Sequence, residues 1–120
     1  MIYEFCAENV TLLEKAMEAG ARRIELCDNL AVGGTTPSYG VTKAAVELAA
    51  NYDTTIMTMI RPRGGDFVYN DLEIAIMLED IRMTAQTGSQ GVVFGALTAD
   101  KKLDKPNLEK LIAASKGMEI

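Results

Sequence analysis

Residues 23–27, Arg23-Ile24-Glu25-Leu26-Cys27, decide the fold. The run alternates polar and apolar, so as a strand it places Arg23, Glu25 and Cys27 on one face and Ile24 and Leu26 on the other. Ile2 to Cys6 upstream repeats the pattern, with Glu4 and Cys6 opposed to Tyr3 and Phe5. Downstream, Thr55 to Arg61 sets Met57, Met59 and Arg61 against Ile56 and Ile60. An open, doubly wound sheet carries apolar residues on both faces because helices cover both. Here one face suits packing under helices, while the other gathers polar groups toward the C-terminal strand ends. That is the interior and mouth of a barrel, and the fold class read from it is α/β, a TIM-type (β/α)8 barrel.

The segments between these strands have helical period. The first helix starts at about Asn9, with Thr11 and Glu14 spaced as a capping box, and Gly20 stops it. Val41, Ala44, Ala45, Leu48 and Tyr52 mark a second helix, and Ile74, Met77, Leu78, Ile81 and Ala85 a third. Asn70 and Glu73 offer the third its own capping box. Gly91 to Gly95 reads as a fourth strand. Asp104 caps a fourth helix with Pro106 in its first turn and Leu108, Leu111 and Ile112 facing inward, and Met118 to Ile120 begins a fifth strand. Parallel strands joined by right-handed helical crossovers are the expected product. Residues 1–120 are thus expected to form a single domain, about the first four βα units plus the start of strand 5. A whole barrel takes about 250 residues. A half barrel exposes sheet edges, so the chain is expected either as a fragment or in a homo-oligomer that completes the closure.

Composition narrows the chemistry. The formal charge is −5 and histidine is absent. No basic surface exists to displace counterions from a nucleic acid. No apolar run approaches the ~20 residues of a membrane span. Met1-Ile2-Tyr3-Glu4 lacks the basic start of a signal peptide, and a cytoplasmic location without membrane contact is expected. Without histidine there is no His-based triad and no Cys/His zinc site. Thiols, carboxylates, arginines and hydroxyls remain, with no motif for an organic cofactor.

Cys6 and Cys27 each end a strand, each two residues after a glutamate. In matching register on adjacent strands they sit side by side, a pair suited to a soft ion of low coordination such as Cu(I). Met57 and Met59 could add thioethers. Alternatively, both cysteines pack as small hydrophobes, and two thiolates do not make a structural zinc site. Glu4 and Glu25 are candidate catalytic carboxylates, one with a raised pKa, or else partners of Arg61 and Arg63. The loop Gly33-Gly34-Thr35-Thr36-Pro37-Ser38 offers amides and hydroxyls to an anion, with Gly34 and Thr35 foremost, or simply turns the chain with Ser38 near the cap. In Arg61-Pro62-Arg63-Gly64-Gly65-Asp66, two guanidiniums could grip a small phosphate or carboxylate, with Asp66 beside them, or could rigidify the loop.

Arg23 to Cys27, Gly33 to Ser38, Met59 to Phe67 and Gly91 to Gly95 together resemble the CutC family, named for copper homeostasis. The resemblance runs through essentially all 120 residues. It implies a cytosolic (β/α)8 barrel with its pocket at the C-terminal strand ends. It puts Cys6 and Cys27 at the positions proposed for Cu(I) in the family, and Glu4, Glu25, Arg61 and Arg63 in its polar pocket. Family members continue past the fifth strand with a His-Arg-x-Phe-Asp-like segment, whereas this chain ends at Ile120, so a function needing that histidine and aspartate is not expected of this chain alone. Three functions follow as expectations: Cu(I) binding through Cys6 and Cys27, an enzyme acting on a small anion through the Arg/Glu pocket, and a non-catalytic scaffold. Whether a reaction is catalysed stays open.

Overall fold

The computed structural model describes all 120 residues, Met1–Ile120. Four strands, β1 (Glu4–Glu8), β2 (Arg23–Cys27), β3 (Thr55–Met59) and β4 (Gly91–Val93), alternate with four helices, α1 (Leu13–Glu18), α2 (Tyr39–Ala49), α3 (Asp71–Gln86) and α4 (Lys105–Ala114). The strands are parallel and lie in sequence order, β1-β2-β3-β4. A further parallel bridge joins Gly91 to Glu119, where the expected fifth strand begins. The architecture is the half of a (β/α)8 barrel that the alternation called for.

The apolar strand face packs under the helices. Leu13 and Met17 of α1 and Ala45 and Ala49 of α2 close over Ala7, Ile24, Leu26 and Ile56. Ile74, Met77 and Ile81 of α3 and Leu111 of α4 cover Val92 and Ile60. Each fully buried Leu, Ile or Met side chain contributes about 1.5–3 kcal/mol relative to exposure. The helix starts at Ser38, Asn70 and Asp104 are capped as the sequence implies. Ser38 accepts from the Val41 amide, Asn70 and Glu73 form the full capping box, and Asp104 accepts from Asn107.

The first βα unit departs from expectation. β1 runs two residues past Cys6, to Glu8, and the chain then turns with Asn9 and Leu12 at positive φ. Thr11 falls inside that turn, donating its amide to Glu8 O, so the Thr11/Glu14 capping box does not form and α1 begins at Leu13 without a side-chain cap. α2 buries Thr42, Ala45 and Ala49, leaving Ala44 outside. β4 stops at Val93, and Ile112 of α4 is half exposed rather than buried.

Candidate metal centre

The polar strand face is built in rows, because paired residues of parallel strands point the same way. Glu4 pairs with Arg23, Cys6 with Glu25 and Glu8 with Cys27. This corrects the matched register in which Cys6 and Cys27 were expected to face one another. β1 slides by two residues against β2, a stagger of the kind that closing a sheet into a barrel requires. An even slide keeps every side chain on its own face. Cys27 does end its strand, but Cys6 sits in the middle of β1.

The thiols still meet diagonally, with Cys6 Sγ 3.9 Å from Cys27 Sγ. Both are free; Cys6 is exposed and Cys27 buried. The Glu25 carboxylate joins them, and one oxygen and the two sulfurs all lie within 4.8 Å of one another. Burial, above all, together with the neighbouring Cys6 and Glu25, pushes the Cys27 thiol up to about 12. Ionising it therefore calls for a nearby cation, as metal binding would supply. Glu25 is also raised, first by burial and then by the charge of Glu4.

The wall over Cys27 is Gly34. At φ 92°, a Cβ there would lie 3.1 Å from Cys27 Sγ, so the close approach of loop and thiol depends on glycine. Thr35 fixes the loop by exchanging both backbone hydrogen bonds with Asp28 (2.9 and 2.8 Å). The amides of Gly33, Gly34, Thr35 and Thr36 all donate to carbonyls of the protein. The loop thus uses internally the backbone amides that were candidates for an anion.

Arg61 and Arg63 are also engaged. Arg61 is 6% exposed and donates to the carbonyls of Val32 (2.7 Å), Gly34 (2.9 Å) and Gly65 (2.8 Å), with its guanidinium 4.9 Å from the Phe67 ring centroid. It pairs with neither Glu4 nor Glu25. Arg63 holds Glu73 at 2.6 Å and Asp66 at 3.1 Å. Glu4 is taken by Arg23 at 2.5 Å. Of the expected thioethers, Met57 is turned away from the thiols, its sulfur lying over Gly91. Two groups at the mouth escaped sequence reading. Glu8 accepts the Leu30 amide at 2.6 Å, and Asp28 accepts from Asn9 at 3.1 Å. The alternation Glu4, Cys6, Glu8 carries the signal for the first; nothing local marks the second.

Comparison with known proteins shows the family. The CutC family model matches residues 1–120. A family protein CutC of Streptococcus pyogenes is 53% identical over 120 residues, covering 100% of this chain and 57% of that protein. One of Enterococcus faecalis is 51% identical with the same coverage. The crystal structure of a CutC protein of Streptococcus agalactiae, named for copper homeostasis, superposes with a TM-score of 0.94 at 49% identity, covering 98% of this chain and 56% of that one. The chain spans about half the length of the curated relatives it matches. With the family model matched over its whole length, the chain belongs to the CutC family.

Proposed function

We propose that this chain takes part in copper handling, binding Cu(I) as cargo through the thiolates of Cys6 and Cys27. The observation that carries the reading is the 3.9 Å separation of two free sulfurs on one rigid sheet face. Soft thiolates select Cu(I), and a low-coordinate ion needs few of them. The Streptococcus agalactiae relative, named for copper homeostasis, supports the same physiology. The second reading, an enzyme for a small anion acting through Arg61, Arg63, Gly34, Thr35 and Asp66 with Glu4 or Glu25 as acid or base, has less support. The Arg61 Nη1 and Nη2 groups and Arg63 bind groups of the protein itself, and Glu4 is held by Arg23.

Unlinked neighbouring thiols fit a reducing compartment, in keeping with a cytoplasmic site of action. No helix is long and apolar enough to cross a membrane. Residues 1–120 act as one domain that is half of a barrel, and its open side supports association with a second copy or with a longer chain's remaining length. A groove of about 440 Å³, lined largely by Tyr3, Phe5, Leu12 and Ala16, runs along the unpaired edge of β1.

The test is an anaerobic Cu(I) competition titration of the wild-type chain and the Cys6→Ser, Cys27→Ser double variant. Stoichiometric binding that the double variant loses, with its fold intact by circular dichroism, is expected. Equal weak binding by both would reduce the cysteines to packing residues.

A further inference from the structure

Two thiolates alone serve a soft monovalent ion, and the third group of the cluster is in excess of that need. Glu25 stands opposite Cys6 in the β1–β2 ladder and opposite Met57 in the β2–β3 ladder, so its backbone is held on both sides. The carboxylates around it all have protein partners: Glu4 has Arg23, Glu8 the Leu30 amide, and Asp28 the Asn9 side chain. Glu25 has none, and one of its carboxylate oxygens lies within 4.8 Å of both sulfurs.

We infer that Glu25 is the third donor of the centre, completing a two-sulfur, one-oxygen set, and that it admits a divalent ion of the zinc class in competition with Cu(I). The inference rests on the reading of Cys6 and Cys27 as metal ligands. Donor chemistry supports it. Cu(I) is satisfied by soft sulfur, whereas Zn(II) takes thiolate and carboxylate alike, and three protein ligands with an open fourth position describe its reactive sites. Spacing supports it as well. With Zn–S bonds of about 2.3 Å, a tetrahedral ion holds two thiolates roughly 3.8 Å apart, and the sulfurs here are 3.9 Å apart. Charge is the third support. Two thiolates and a carboxylate carry three negative charges on a half-buried patch, and Arg23 on the same face is engaged by Glu4. A divalent ion leaves one of those charges uncompensated and a monovalent ion leaves two, a difference that matters where solvent screening is reduced.

Co(II), Zn(II) and Cu(I) affinities should be measured anaerobically on the full chain for wild type, Glu25→Gln and the Cys6→Ser, Cys27→Ser double variant. Wild type is expected to bind Co(II) with a thiolate charge-transfer band and tetrahedral ligand-field bands. Glu25→Gln should lose at least about tenfold in Co(II) and Zn(II) affinity, the lower limit seen when only a supporting residue of a metal site is removed, and should not weaken Cu(I) binding. A readout that needs no variant is the side-chain carboxyl carbon resonance of Glu25 in wild type, which Zn(II) should shift well beyond any change caused by Cu(I). Three outcomes would overturn the inference while leaving the copper reading in place: no Zn(II) binding by wild type, equal affinities in Glu25→Gln, or an unmoved Glu25 resonance. Metal binding retained by the double cysteine variant would instead overturn the reading on which it rests.

Discussion

Cys6 and Cys27 bring their sulfurs to 3.9 Å across a ladder in which they are not partners, since Cys6 pairs with Glu25 and Cys27 with Glu8. Two steps of about 3.3 Å along a strand and one of about 4.8 Å between strands put their Cα atoms roughly 8 Å apart. A disulfide spans Cα separations up to ~7 Å without backbone movement. The pair is therefore close enough to share an ion and too widely set to oxidise easily. After incubation with oxidised glutathione, mass spectrometry of the metal-free protein should find no internal Cys6–Cys27 bridge. Ready formation of that bridge would show that β1 slides on β2.

Gly91 marks a close approach on the same face. A Cβ there would collide with Met57 Sδ and lie 2.8 Å from the carbonyl oxygen of Glu119. Gly91→Ala should destabilise the chain by about 1–3 kcal/mol, the usual range for overpacking. Adding Met57→Ala should recover only part of the loss, because the Glu119 contact is backbone and cannot swing away. Denaturant melts of the single and double variants check both statements.

Arg61 ties the loop after β2 to the loop after β3 through three carbonyls. Lysine keeps the charge but lacks the planar fork. Arg61→Lys should cost about 1–3 kcal/mol, the usual cost of leaving a buried carbonyl, here that of Gly34, without its donor. Hydrogen exchange should rise in residues 30–36 and 62–68 together. Faster exchange in only one of the loops would contradict the role as a tie.

Hydrogen bonding to Arg63 and to a backbone amide holds the Glu73 carboxyl below its usual range, and the Val68 amide and Arg63 do the same for Asp66. A carboxylate depressed in the folded state contributes stability that is fully present above its unfolded pKa and is lost as pH falls through the folded one. Arg63→Met should therefore lower the thermal midpoint by a constant amount above about pH 5, given unfolded values near 4.3 and 3.9. The gap between variant and wild type should close as pH drops below about 4. Melts from pH 3 to pH 8 test this, and a gap that widens in acid would refute the assignment.

Much of this was legible in residue order. Arg23 to Cys27 is β2 to the residue, and its alternation separates the helix-covered face from the polar one. Ser38, Asn70 and Asp104 cap the helices they precede. These features are local: pleat period and capping geometry involve residues within a few positions of one another. The register between β1 and β2 was not legible, because a slide of two residues preserves every face and leaves no trace in the pattern. The ion partners were hidden for the same reason. Glu4 was expected to meet Arg61 or Arg63, and the ladder instead put Arg23 opposite it. Glu25 became a companion of the thiols only once that same slide set it beside Cys6. Sequence by itself determined which side chains share the inner face of the sheet, because side-chain direction alternates along a strand. Tertiary structure alone decided which of them touch, because the stagger between strands is set by how the whole sheet curves and packs under its helices.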